Sequence, residues 1–186
     1  HVIEACEASL RRLRTDRIDL YYLHHSNTGA PVEETFEALD RLVQDGKILY
    51  VGISNYEAWE AALALEAIAG LRLAPITAIQ PRYNLLHRPY ERDLVPLARA
   101  KGIGVVPYNP LGAGMLTGKY RRGQEPPAES RFAQGDYGRM YQGRYWSDRM
   151  FDVVEAVAEV ASQEGEGVTS AQVAVAWLLH QEGVTS

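Results

Sequence analysis

Hydrophobic positions along the chain alternate between two periods. Residues 2–13 place Ile3, Cys6, Leu10 and Leu13 on one face at helical spacing, and the short run Ile18–Leu23 that follows is the length of a strand. The pattern then repeats. Pro31 opens a helix that runs through Gln44, with Glu33 and Glu34 in its first turn and Asp45-Gly46 closing it. A strand over Ile48–Ile53 precedes a helix over about 57–69 that is expected to stop at Gly70. Ile76–Gln80 reads as a strand ended by Pro81, and the polar stretch YNLLHRP leads to a helix over about 91–101. Ile103–Val106 is a fourth strand, broken by Pro107 and Pro110 and continued by a loop containing Gly112, Gly114 and Gly118.

The four strands start 30, 28 and 27 residues apart, at Ile18, Ile48, Ile76 and Ile103. Strands alternating with helices imply right-handed crossovers and a parallel α/β sheet, either open or closed as a (β/α)8 TIM barrel. An open dinucleotide-binding sheet would carry G-x-G-x-x-G, and a P-loop would carry G-x-x-x-x-G-K-[ST]; neither occurs. The barrel is the better reading, and because a closed barrel takes ~250 residues, four strands in 186 residues amount to half of one. The expected domain is therefore a single partial barrel over residues 1–186. After the fourth strand a loop of about 35 residues carries six aromatics (Tyr120, Phe132, Tyr137, Tyr141, Tyr145, Trp146), and loops this long are usually functional. Two helices, Phe151–Ser162 and Ser170–His180, close the chain, the second capped by Thr169 or Ser170.

Composition changes this picture little. At 46% hydrophobic and 23% charged the chain is ordinary globular protein, and no run of ~18 apolar residues suggests a membrane span. A net charge of −5 with scattered basic residues argues against a nucleic-acid partner. The lone Cys6 has no disulfide partner, so the expected setting is the reducing cytoplasm. A homo-oligomer is compatible with the sequence. The first residue is His1 rather than Met, and the chain stops just after Gly183, so both ends are expected to be cut. Charge does single out the long loop, where seven basic residues from Lys119 to Arg149 face only Glu125, Glu129, Asp136 and Asp148. An anionic ligand fits that excess.

Active sites of parallel barrels are built at the carboxyl ends of the strands. His24, Ser54-Asn55, Gln80 and Tyr108 stand there, one polar or aromatic group after each apolar run. Each also has a plainer reading: His24 as a hydrogen-bonded structural residue, Ser54-Asn55 as a helix N-cap, Gln80 as turn chemistry before Pro81, Tyr108 as core. Period-two alternation separates His24 from His25 without saying which faces a ligand. The histidines lack the spacing of a metal pair, so no metal is expected, and without a G-x-S-x-G elbow a hydrolase is poorly supported.

DLYYLHH, VGISNY, AIQPRYNLL and YNPLGAGMLTGKY resemble the fourth to seventh strand ends of the aldo-keto reductases. RFAQGDYGRMYQGRYW resembles the seventh-strand loop of their aflatoxin aldehyde reductase and aryl-alcohol dehydrogenase-like branch. The resemblance implies a (β/α)8 enzyme that uses NADPH to interconvert small carbonyl substrates and alcohols, seen from about the helix before strand 4 to the start of strand 8. It makes His24 the histidine that orients the substrate carbonyl. Ser54, Asn55 and Gln80 would hold the nicotinamide carboxamide, and Tyr108 would stack on the ring. The backbone of Asn109, Pro110, Leu111, Gly112, Gly114, Leu116, Gly118 and Lys119 would wrap the pyrophosphate. Arg131 would add a cofactor contact, and Tyr141 and Arg144 would lie by the substrate. The family's catalytic Tyr, Asp and Lys come from earlier strands and have no counterpart here; nor does its 2′-phosphate site. Two other readings stand beside the reductase: a cofactor-binding regulatory subunit, because potassium-channel β subunits resemble the same family, and an inactive fragment.

Overall fold

The computed structural model describes residues 1–26 and 29–186. These cluster into two compact units, one of His1–Pro81, Tyr90–Val106 and Thr185, the other of Arg82–Pro89, Pro107–Val184 and Ser186.

The first unit is a parallel sheet with its helices. Strands β1 (Ile18–Leu23), β2 (Ile48–Ser54), β3 (Ile76–Gln80) and β4 (Gly104–Val105) lie side by side in chain order, every pair parallel. Helix α1 (Val2–Leu13) leads in, and α2 (Val32–Gln44), α3 (Ala58–Leu71) and α4 (Leu94–Ala100) make the three crossovers. Sequential order with no reversal is the winding of a (β/α)8 barrel and not of an open sheet with a switch point. Burial explains the helices: α2 turns Phe36, Leu39 and Leu42 inward at no more than 1% exposure, one residue per turn on a single face. Strand β2, flanked on both sides, buries Ile48 and Val51–Ser54.

Register places the strand ends together, with Leu23 opposite Ile53 and Ser54 opposite Gln80. Between them β3 carries an irregularity: Val51 pairs with Ile76 but Gly52 with Ala78, so Thr77 is the extra residue, and its hydroxyl donates to the Val51 carbonyl at 3.2 Å. After β4 the Thr185 amide donates to the Val105 carbonyl at 2.9 Å.

Boundaries differ from the sequence reading in the helix expected over Phe151–Ser162, which runs Asp148–Glu164, and at three places nearer the sheet. Helix α3 passes through Gly70 to Leu71, because Arg72 takes the left-handed cap conformation (φ 56°) that glycine was expected to supply. Helix α4 starts at Leu94, where the Asp93 carboxylate accepts from the Leu94 amide, behind a 3₁₀ turn at Pro89–Glu91. Strand β4 is short, since Pro107 has no N–H and the last ladder bond is Val106 N to Ile79 O at 2.9 Å.

The second unit is helical. It contains 3₁₀ turns at Gly112–Thr117 and Arg131–Ala133, then α5 (Gly135–Tyr145), α6 (Asp148–Glu164) and α7 (Ser170–Leu179). Its core joins Met115, Leu116, Phe132, Tyr145, Phe151 and Val154, and aromatic rings pack edge-on within it, Tyr120 on Phe132 at 5.1 Å and Trp146 on Phe151 at 5.4 Å. The stretch expected to be loop thus holds a helix. Helix α5 lacks an apolar stripe because its buried positions are Gly138 and Tyr145. The cap of α7 is Thr169, whose hydroxyl accepts from Gln172 N at 3.2 Å while the Gln172 side chain accepts from Thr169 N at 2.8 Å.

A Cβ at Gly138 would lie 2.6 Å from the Phe132 carbonyl oxygen and 3.0 Å from the Ala133 carbonyl carbon, both backbone. Gly138→Ala is therefore expected to push α5 off the 131–133 turn and to cost about 1–3 kcal/mol. Gly143→Ala on the same helix meets nothing within 4 Å and should be neutral or slightly stabilising by helix propensity. Denaturation midpoints that do not separate the two variants would contradict this packing.

Candidate active site

In the first unit the in-register strand ends are tied to one another by two side chains. Ser54 is 2% exposed and its hydroxyl donates to the Gln80 carbonyl at 2.8 Å, linking β2 to β3. Asn55 sits in the left-handed region (φ 55°), which aims its amide back across the sheet to donate to the His24 carbonyl at 2.9 Å and to Ser54 Oγ at 3.1 Å. The N-cap alternative for Ser54-Asn55 falls: Glu57 caps α3 in a reciprocal box with Glu60, whose other oxygen accepts from Ser26 Oγ at 2.6 Å. Gln80 is half-buried at the end of β3.

His24 and His25 are both exposed, and their rings stand 4.2 Å apart. Both line a hollow of about 440 Å³ together with Tyr22, Leu23 and Tyr56. The Tyr56 phenol is pushed up to about 12, first by burial and then by the Glu60 charge, so it stays protonated.

In the second unit Tyr108 is half-buried rather than core. Burial raises its phenol, while the Arg82 and Arg144 charges pull the other way. From Asn109 onward the backbone turns left-handed at Asn109 (φ 61°), Gly112 (56°), Ala113 (60°), Gly114 (93°) and Gly118 (74°). Repeated left-handed turns of this kind make the backbone concavities that receive anions. Pro110 and Leu111 are partly buried; Leu116 is wholly in the core and its amide donates to the Leu111 carbonyl at 3.1 Å, so the expected Leu116 contact with a cofactor is not what this fold offers. A Cβ at Gly114 would lie 3.6 Å from the Lys119 amine, so the charge beside the loop is positive. The amides of Gly112, Ala113, Gly114, Leu116 and Gly118 are bonded within the loop itself, so the group that suits a diphosphate here is the Lys119 ammonium beside Gly114.

Helix α5 brings Tyr141 and Arg144 together with Arg131: the two guanidiniums stand 5.9 and 5.7 Å from the Tyr141 ring. The sequence reading missed a neighbouring cluster. Arg82 donates to the His87 ring at 3.1 Å and lies 6.0 Å from the Tyr145 ring. Burial, then the charges of Arg82 and Arg144, holds His87 down to about 4, a neutral acceptor. Asn84, 0% exposed, donates to the Asn109 carbonyl at 2.9 Å. In the sequence, Asn84 and His87 lie in the polar loop YNLLHRP, and Arg82 and Asn84 in the stretch AIQPRYNLL.

Among the described residues no three His, Cys, Asp or Glu side chains lie together as metal ligands, and no helix is long and apolar enough to cross a membrane.

The sequence pattern of the aldo/keto reductase family matches residues 1–186. Aflatoxin B1 aldehyde reductase member 2 of Homo sapiens is 36% identical over 181 residues, covering 94% of this chain and 50% of the human protein. A probable voltage-gated potassium channel subunit beta of Arabidopsis thaliana is 35% identical over 187 residues, 100% of this chain and 56% of that protein. Among solved structures, glycerol dehydrogenase from Gluconobacter oxydans superposes with a TM-score of 0.78 at 29% identity, covering 97% of this chain and 52% of the enzyme. The chain spans about half the length of the curated relatives it matches.

Proposed function

Because the chain belongs to the aldo/keto reductase family, we propose that the protein carrying it reduces aldehydes and ketones to alcohols with NADPH, residues 1–186 being part of one barrel domain. The observation that carries this reading is the strand-end cluster of the first unit, where Asn55 and Ser54 lock the ends of three parallel strands instead of capping α3. When bound, NADPH supplies a hydride from its nicotinamide.

The chain's own residues then have distinct roles. Ser54, Asn55 and Gln80 hold a carboxamide, which needs both donors and acceptors; with the Ser54 hydroxyl and Asn55 amide protons committed to the strand ends, the donors fall to Gln80. His24 donates a hydrogen bond to the substrate carbonyl oxygen and so stabilises charge developing there. In the second unit Tyr108 offers a ring face, the loop from Asn109 to Gly118 with Lys119 receives phosphates, and Arg131 adds a cation. Tyr141 and Arg144 contact the substrate. The tyrosine that donates the proton, with its lysine and aspartate partners, is assigned to the half of the family's length that this chain does not span. The buried Cys6 fits a cytoplasmic setting.

The similarity to a probable potassium channel subunit beta favours a second reading, a cofactor-binding regulatory subunit. NADPH-dependent turnover of an aromatic aldehyde by the intact protein decides between them: oxidation of the dinucleotide supports the reductase, while tight NADPH binding without turnover supports the regulator.

Within the intact protein Tyr108→Ala is expected to weaken NADPH binding about threefold to tenfold, the worth of ring stacking at roughly 0.5–1.5 kcal/mol beyond area burial. A fluorescence titration with unchanged affinity would remove Tyr108 from the cofactor's surroundings.

A further inference from the structure

Two amides and a phenol meet inside the second unit. Asn84 lies in the loop after β3, Asn109 opens the glycine-rich loop, and Tyr145 ends α5; Asn84 is 0% and Tyr145 1% exposed. Asn84 Nδ2 donates to the Asn109 carbonyl at 2.9 Å and to the Tyr145 hydroxyl at 3.3 Å. Asn109 Nδ2 donates to the same hydroxyl at 3.3 Å, while its Oδ1 accepts from Ala113 N at 2.7 Å. Asn84 Oδ1 accepts from Leu86 N at 2.9 Å, which fixes the amide's orientation.

We propose that Asn84 and Tyr145 are positioning residues, a buried clasp that holds the glycine-rich loop in its ligand-ready turn and couples that loop to α5. Three features make the clasp more than packing. Asn109 and Ala113 are both in the left-handed region, a conformation that Asn tolerates but that alanine keeps only where its surroundings impose it, and the clasp bonds Asn109 directly and Ala113 through Asn109. The Tyr145 hydroxyl accepts from both Asn84 and Asn109, so removing it leaves one buried and one half-buried donor short of an acceptor at once. Tyr145 stands next to Arg144 and one turn from Tyr141, so whatever seats on the loop also sets the helix bearing the proposed substrate contacts. The last step rests on the reductase reading; the mechanical link between loop and helix does not.

The test is Tyr145→Phe in the intact protein, which keeps the buried ring and deletes only the hydroxyl, with Asn84→Asp as a harsher variant that keeps shape but loses the donors. Tyr145→Phe is expected to weaken NADPH binding roughly tenfold, with kcat at saturating cofactor changed less than KM for NADPH. Without any ligand, amide hydrogen exchange should quicken in residues 109–118 and 135–145 together, with little change in the sheet of the first unit. Quicker exchange in 135–145 alone, or in neither segment, overturns the clasp. If the unmutated protein binds no NADPH the cofactor reading falls, whereas joint quickening of the two segments still upholds the coupling. Should Asn84→Asp fail to fold, Tyr145→Phe decides by itself.

Discussion

His24→Ala in the intact protein is expected to lower kcat/KM for every carbonyl substrate by roughly 10²–10³-fold, the largest effect of any single change in this chain. The size follows from the chemistry. A hydrogen-bond donor aimed at an oxygen that gains charge in the transition state is worth about 2.7–4 kcal/mol, because the interaction strengthens as the carbonyl becomes an alkoxide. The local structure supports His24 as that donor. Its backbone carbonyl is held by Asn55 at 2.9 Å, so the residue is fixed at the end of β1 while its ring stays exposed beside a hollow of about 440 Å³. His25→Ala is the matched control, since its ring is equally exposed and only 4.2 Å away. NADPH affinity should be nearly unchanged in both variants, because neither ring is assigned to the cofactor. If His25→Ala is the damaging substitution, the two neighbours have exchanged roles. If neither loses more than a few-fold, the strand end is structural.

Sequence resolved the first unit well because its elements are of the legible kind. Strands β1 to β3 are runs of β-branched and aromatic residues, and α2 keeps Phe36, Leu39 and Leu42 on one face, so periodicity alone locates them. The difficulties have separate physical causes. Gly70 looked like a helix stop, but a solvent-facing glycine in a last turn costs little and Arg72 adopts the left-handed cap instead. Helix α5 was invisible because a glycine, Gly138, provides its contact with the Phe132 backbone, so close approach replaces the apolar stripe that marks other helices. Ser54-Asn55 had the composition of an N-cap, and only the cross-strand bonds to Gln80 and His24 reveal a different use. Asn84 lies in the AIQPRYNLL stretch and the polar loop YNLLHRP, yet neither says what it binds. Its role comes from partners 25 and 61 residues away, a kind of relation that a local reading does not contain.

Arg144→Met in the intact protein is expected to lower kcat/KM for an aldehyde bearing a carboxylate, such as a short semialdehyde or 2-carboxybenzaldehyde, by roughly 10- to 150-fold, from the 1.5–3 kcal/mol of a hydrogen bond to a charged group. Two other arginines of this region are already committed to carboxylates. Arg122 is spent on Asp148, Asp152 and Glu155, and Arg139 pairs with Asp136 one turn away on α5. Among the described residues no carboxylate pairs with Arg144, which is exposed and stands 5.9 Å from the Tyr141 ring. A guanidinium steadied near an aromatic ring, with its fork unused, suits a planar carboxylate bidentately. For a neutral aromatic aldehyde of similar size the same substitution should change kcat/KM by no more than a few-fold, because methionine keeps most of the stem and there is no charge to meet. Equal losses on both substrates would mean that Arg144 acts on the loop or the cofactor through Tyr108 and His87, whose titration it already influences. A loss on neither would return it to the solvated surface of α5, and the acidic-aldehyde preference would then have to come from Arg131, the other guanidinium beside Tyr141.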